Sequence, residues 1–522
     1  MLFKYDGKNF SGSYAMPKGY VEEILRARVY DVAVESDLTP AVRLSARLKN
    51  NILYKREDEQ QVFSFKLRGA YNKIVGLPDE DKVRGVIAAS AGNHAQGVAL
   101  AGNKLNIPTT IVMPTTTPGI KVDTVRRLGG KAVLHGDSFD EANEYAHKLA
   151  EEKGLTFIYP FDDPKVIAGQ GTVGMEILRQ HPEDIEAIFV PVGGGGLIAG
   201  VAAFVKQIRP SVKVIGVEPE DAPTLHDAMK AGKRVILKQV GLFADGVAVK
   251  QIGKETFRVA KDLVDEVVLV STDQICAAIK DIFDDTRSVS EPAGALAVAG
   301  IKKYVAERNC SDKTLVGILS GANINFDRLR HVAERAEVGE NREALLAVQI
   351  PERPGAFLQF CKLLGKRSIT EFNYRYADDK EAQVFCGVEM RGGQPEREEL
   401  IQKLEVKGYA VVDMTENETA KLHIRYMVGG HAPSVKNERL YRFIFPERPG
   451  ALLDFLSGMT RGWNISLFHY RNHGAAYGRV LVGVQLDGKD QKAFEKFMRE
   501  LGYTYHDETD NPAYKLFASA GE

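Results

Sequence analysis

From Gly85 onward, short runs of β-branched and apolar residues alternate with longer stretches whose apolar positions recur at helical spacing. GVIAAS precedes NHAQGVALAGNKLN, TTIVMP precedes PGIKVDTVRRLGG, and KAVLHG precedes SFDEANEYAHKLAEEKG. Ser138 with Glu141 three residues later predicts a capping box, and Gly154 sits where that helix must stop. The series continues with AIFVPV, LIAGVAAFVKQI, KVIGVE and later TLVGIL. Runs this apolar fit strands covered on both faces, so the alternation predicts an α/β architecture of parallel, helix-covered sheets.

After about Glu337 the texture changes to alternating strands, and part of it is nearly copied. PERPGA occurs at Pro351 to Ala356 and again at Pro446 to Ala451. ITEFNYR (Ile369 to Arg375) likewise matches ISLFHYR (Ile465 to Arg471), and Gly387-Val388 recurs as Gly483-Val484. Each copy reads as a strand ending at Pro-Gly, a helical stretch (FLQFCKLLG; LLDFLSGMT) and two further strands, the βαββαβ pattern of a ferredoxin-like module. At roughly 150 residues per domain, 522 residues accommodate about three. The expected units are residues 1–337, 343–418 and 438–512.

Charge narrows the partners. Lys plus Arg number 69 against 70 for Asp plus Glu, with no long single-sign block, so neither nucleic acid nor an anionic membrane is an expected partner. The four cysteines, Cys276, Cys310, Cys361 and Cys386, form no zinc or disulfide spacing, and Met1 to Tyr20 has no apolar signal core, so a reducing cytoplasm is expected.

Four segments carry candidate chemistry. Ser64 to Ala70 embeds Lys66 among apolar residues, where an unremarkable lysine would merely extend its amine to solvent. Ser90-Ala91-Gly92-Asn93-His94 follows a buried strand and opens a helix, at the carboxyl end of a strand where open α/β sheets bind ligands. Gly193 to Gly196 with Leu197 also lies between strand and helix, and such a loop turns its N–H groups onto one oxyanion, for which phosphate is the natural guest. Ser320-Gly321-Ala322-Asn323 follows TLVGIL. A lysine, a glycine cradle and polar groups together point to pyridoxal 5'-phosphate. Alternatively, Gly194, Gly196 and Ala199 with Glu218 form a weak dinucleotide fingerprint, the mark of an NAD-dependent oxidoreductase. That reading leaves Lys66, Asn93 and Ser320 without work.

These segments resemble the tryptophan-synthase-β-like, fold-type II pyridoxal-phosphate enzymes. SFKLRGAYNKI, SAGNHAQGVA, VPVGGGGLIAG, EPAGA and SGANINFDRLR resemble the threonine deaminase (threonine ammonia-lyase) group within them, and the repeats resemble its paired ACT-like regulatory domains. The resemblance implies Lys66 as the covalent anchor of the cofactor and as the base, with Phe65 packed on its ring. It also implies Asn93 at the ring hydroxyl, Gly193, Gly194, Gly195, Gly196 and Leu197 at the phosphate, and Ser320 at the pyridine nitrogen. A neutral serine there does not hold the nitrogen protonated, which suits prompt β-elimination. Ala91 stands where serine racemases of the wider family carry a serine that serves as the proton donor on the opposite face, which disfavours racemisation. Thr224 stands where those relatives have the later acid of a divalent-ion site, so no metal is expected.

The activity implied is deamination of L-threonine to 2-oxobutanoate and ammonia, with L-serine a weaker substrate, as the first step of isoleucine synthesis. Isoleucine as inhibitor, valine as its antagonist and a homotetramer are implied as well. Tyr374 and Tyr470, at matching places in the two copies, are the candidate effector residues.

Overall fold

The computed structural model describes residues 19–340, 342–351, 360, 363–364, 367, 369–376, 381–426, 437–446, 464–471, 477–488 and 490–518. Two parallel sheets form the first part of the chain. One runs, in spatial order, Leu38–Pro40, Asn51–Arg56, Thr314–Leu319, Ala187–Pro191, Lys213–Pro219 and Glu266–Val270. It is parallel except at the antiparallel edge strand Leu38–Pro40. The other, all parallel, runs Lys131–Leu134, Thr109–Met113, Val86–Ala89 and Thr156–Phe157.

Side-chain alternation divides each strand between two cores. Ile188, Val190, Val214, Val316 and Ile318 enter one apolar cluster, while Ala187, Phe189, Ile215, Val217, Leu315 and Leu319 enter another on the opposite face. Every run therefore has to be apolar throughout, which is why the pattern reads so clearly. The predicted helix forms as Phe139–Lys153: Ser138 and Glu141 make the reciprocal capping box, and Gly154 closes it at φ +65.

The remaining strands make two four-stranded antiparallel sheets of identical topology. The first is ordered Ile369–Tyr376, Glu381–Glu389, Glu343–Pro351, Ala410–Asp413, and the second Asn464–Arg471, Tyr477–Gln485, Glu438–Pro446, Thr504–Asp507. The repeat extends to an irregularity of register, between Ile369 and Glu371 in one sheet and between Ile465 and Leu467 in the other. Tyr374 pairs with Val384 and Tyr470 with Val480, equivalent positions in the two copies. Their side chains, and most of the helical stretch expected after each Pro-Gly, lie outside the described residues.

A charged cluster joins the first module to the parallel-sheet part. Arg335, on helix Arg328–Gly339, grips Glu418 with two hydrogen bonds of 2.6 and 3.1 Å and also pairs with Asp273. Lys421 completes the cluster, 2.6 Å from Asp273 and 2.9 Å from Glu418. The cluster borders a cavity of about 470 Å³ whose walls come from the parallel-sheet part and from both modules, including Phe243, His331, Glu418 and Arg442.

Candidate active site

Three strand ends converge. Asn93 begins the helix after Val86–Ala89, the glycine loop follows Ala187–Pro191, and Ser320 follows Thr314–Leu319. With Phe65 and Lys66 they line one cleft, which also holds Leu197, Phe161 and Glu291. All the residues expected at the cofactor, Lys66, Phe65, Asn93, Gly193 to Gly196, Leu197 and Ser320, are thus brought together. Tyr374 and Tyr470 belong to the two antiparallel sheets.

Lys66 opens helix Lys66–Val75, and its amine donates to the Pro160 carbonyl at 3.1 Å and lies 5.1 Å from the centre of the Phe65 ring. The helix is seated by close packing and charge. A Cβ on Gly69 would fall 2.8 Å from the Val166 carbonyl oxygen, and one on Gly169 2.7 Å from the Arg68 carbonyl, so this helix crosses Pro164–Gln180 backbone to backbone. Arg68, fully buried, then grips Glu57 with two bonds of 2.7 Å and Glu176 with bonds of 2.6 and 3.0 Å.

Burial lowers the Lys66 amine to about 8, and the nearby Glu291 charge only partly opposes this. A lowered value leaves more neutral, nucleophilic amine at a given pH. The rate at which the cofactor-free chain takes up pyridoxal phosphate covalently is therefore expected to rise about tenfold per pH unit below 8 and to level off above it. Stopped-flow absorbance measures this, and a rate independent of pH over that range would contradict a titrating Lys66.

Asn93 is held by two partners: its Nδ2 donates to Glu291 Oε1 at 2.6 Å, and its Oδ1 accepts from Asn323 at 2.7 Å. Burial first, then the Asp245 charge, pushes the Glu291 carboxyl up to about 7. In the sequence the Glu-Pro-Ala-Gly run carries the family resemblance but assigns Glu291 no role. The available signal was an acid directly before a proline at the start of an apolar helix, Pro292–Arg308. His94, by contrast, donates from Nε2 to the Ile158 carbonyl at 2.8 Å, and burial lowers it to about 3, so it is a neutral structural donor.

The glycine loop is a cradle only glycine can make. A Cβ at Gly194 would lie 2.2 Å from the Phe161 ring, one at Gly193 2.8 Å from Val247 Cα, and Gly195 adopts φ +90. Helix Gly196–Ile208 begins here, and its first N–H groups have no carbonyl one turn earlier. Unpaired donors and the positive helix end favour a phosphate. An amine in Lys66, an amide in Asn93, a hydroxyl in Ser320 and this cradle fit pyridoxal 5'-phosphate by their donor chemistry. The dinucleotide alternative fails, because Glu218 is fully buried and its carboxyl is already engaged by the Thr224 hydroxyl and the Leu225 and His226 N–H groups. Among the described residues no group of His, Cys, Asp or Glu could hold a metal ion, and no helix is long and apolar enough to cross a membrane.

Fold and cleft define a pyridoxal-phosphate enzyme, and the family model for pyridoxal-phosphate dependent enzymes matches residues 32–321. The model for the C-terminal regulatory domain of threonine dehydratase matches twice, at 334–424 and 429–518. The chain belongs to the biosynthetic threonine dehydratase family. It is 58% identical over 503 residues to L-threonine dehydratase biosynthetic IlvA of Burkholderia multivorans, covering 96% of this chain and 99% of the relative. Against the Escherichia coli protein of the same name identity is 55%, covering 98% and 99%. Among solved structures, the processed form of threonine deaminase isoform 2 from Solanum lycopersicum matches with a TM-score of 0.60 and 55% identity, over 61% of this chain and 92% of that one.

Proposed function

We propose that this enzyme deaminates L-threonine to 2-oxobutanoate and ammonia, with L-serine a weaker substrate, at the entry to isoleucine synthesis. The observation that carries the reading is the convergence of Lys66, the glycine cradle, Asn93 and Ser320 in one cleft of a chain whose relatives are threonine dehydratases. Bound pyridoxal phosphate supplies an electron sink that acidifies the substrate's α-proton. With the cofactor bound, the Lys66 amine would be the group that takes that proton. The α-proton and β-hydroxyl depart as water, and water then replaces nitrogen in the released enamine. Glycine-loop N–H groups would hold the phosphate, Asn93 and Ser320 would orient the ring, and Phe65 would pack on it. Threonine and serine differ by one methyl, worth about 1–3 kcal/mol of discrimination. Assay of 2-oxo acid from both substrates tests the proposal: threonine is expected to be preferred, and failure to form 2-oxobutanoate would overturn it.

We also propose that residues 1–337 form the catalytic unit, and that residues 343–418 and 438–512 are ACT-like units in which isoleucine inhibits and valine opposes it. The working state proposed is a cytoplasmic homotetramer, checked by sedimentation. Supporting the regulatory reading are the two matches to a regulatory domain and the equivalent strand positions of Tyr374 and Tyr470. Tyr374→Leu or Tyr470→Leu removes a phenol while keeping apolar volume. At least one is expected to move the isoleucine inhibition curve to several-fold higher concentration, with uninhibited turnover near normal. Unaltered inhibition in both would place the effectors elsewhere.

A further inference from the structure

Behind the glycine cradle lies a short chain of oxygen atoms. Glu218, in strand Lys213–Pro219, has no exposed surface. Its Oε1 accepts the Leu225 N–H at 2.7 Å and its Oε2 the His226 N–H at 2.9 Å, so it caps helix Thr224–Ala231 from outside that helix. Thr224 Oγ1 lies 2.8 Å from Glu218 Oε1 and 2.8 Å from the carbonyl oxygen of Gly193.

One hydroxyl carries one proton, yet both neighbours are acceptors when Glu218 is ionised. One of the two 2.8 Å contacts would then set lone pair against lone pair. A proton on Glu218 Oε1 turns both into hydrogen bonds: Glu218 donates to Thr224, and Thr224 donates to Gly193. Oε1 keeps a lone pair for the Leu225 amide. The environment agrees with this count, since burial pushes the Glu218 carboxyl up to about 7 against its hydrogen-bond donors, and the Asp227 charge adds to the push.

Peptide planarity carries the effect to the cleft. In a trans peptide the C=O of one residue and the N–H of the next point in opposite directions. Holding the Gly193 carbonyl on Thr224 therefore turns the Gly194 N–H the other way, toward the cleft side. The same device recurs one residue later, where the Gly194 carbonyl accepts from the Thr256 hydroxyl at 2.7 Å and the Gly253 N–H at 3.2 Å, which aims the Gly195 N–H.

We propose that Glu218, as a neutral acid, and Thr224 are positioning residues for the cofactor phosphate, a relay of two donated protons that holds the Gly193 carbonyl back and presents the Gly194 amide. This rests on the glycine loop being the phosphate site. The full chain, stripped of cofactor, is titrated with pyridoxal phosphate and separately with pyridoxal, which lacks the phosphate. Wild type is expected to prefer the phosphate ester strongly; equal affinities would overturn the phosphate-cradle reading itself. Thr224→Val is expected to weaken pyridoxal phosphate about tenfold while leaving pyridoxal unchanged, and Thr224→Ser to restore it. Equal loss for both ligands, or no loss for either, would overturn the positioning role while leaving the cradle standing. Infrared spectra at neutral pH are expected to contain the C=O band of a neutral carboxylic acid that Glu218→Gln abolishes. If wild type and variant do not differ in that band, Glu218 is ionised and the relay is wrong.

Discussion

Lys66→Ala is expected to lower kcat for threonine more than about a thousandfold and to abolish the absorption band of the lysine-bound cofactor, because one substitution removes both the covalent anchor and the α-proton base. Stability should hardly change. The amine makes a single part-buried hydrogen bond, to the Pro160 carbonyl, so losing it costs little. Addition of small primary amines is expected to restore part of the turnover. Retention of even a tenth of wild-type activity without them would mean that another residue is the base.

Arg68→Met is expected to destabilise the parallel-sheet part by about 3–5 kcal/mol at neutral pH. The guanidinium is fully buried between two buried carboxylates, Glu57 and Glu176, and without it Lys55, 2.6 Å from Glu176, is the cation left to face both. The penalty comes from unpaired buried charge more than from the pair's own net worth. Protonating the stranded carboxylates relieves it, so the gap between variant and wild type should narrow as pH falls toward the carboxylate range. Denaturant unfolding at neutral and mildly acidic pH measures both. A methionine variant as stable as wild type would show that the network contributes no net stability.

How much of this was legible depended on how local each signal is. The capping box of Ser138 and Glu141 is written within four residues, and it forms as read. The near-copy after Glu337 extends to a matching register shift, because equal sequences impose equal geometry. Strand Asn51–Arg56 gave no such signal. It ends in Lys55 and Arg56, which look solvent-exposed but are buried against Glu176 and Asp58. Only the folded chain supplies that compensation for Lys55, because Glu176 is remote in sequence. Local pattern also says nothing about which strands share a sheet, so the division of these strands into one sheet of six and one of four was not readable.

The site followed the same rule. Lys66, Asn93, the glycine loop and Ser320 stand out because each sits at a strand end or opens a helix, and the family's motifs mark them. Glu291 escaped because its importance is a contact with Asn93, nearly two hundred residues away. Phe161 escaped for the same reason: it matters as the ring that forbids a side chain at Gly194. The Glu218 relay was hidden further, since a single glutamate after an apolar strand reads equally well as a ribose ligand, and only its closed set of partners excludes that.

Reduction of the holoenzyme with borohydride, followed by proteolysis and mass spectrometry, tests the central claim most directly. The account predicts one pyridoxyl-phosphate adduct per chain, on the peptide containing Lys66. An adduct on a different lysine, or none in a chain that still converts threonine, would contradict it.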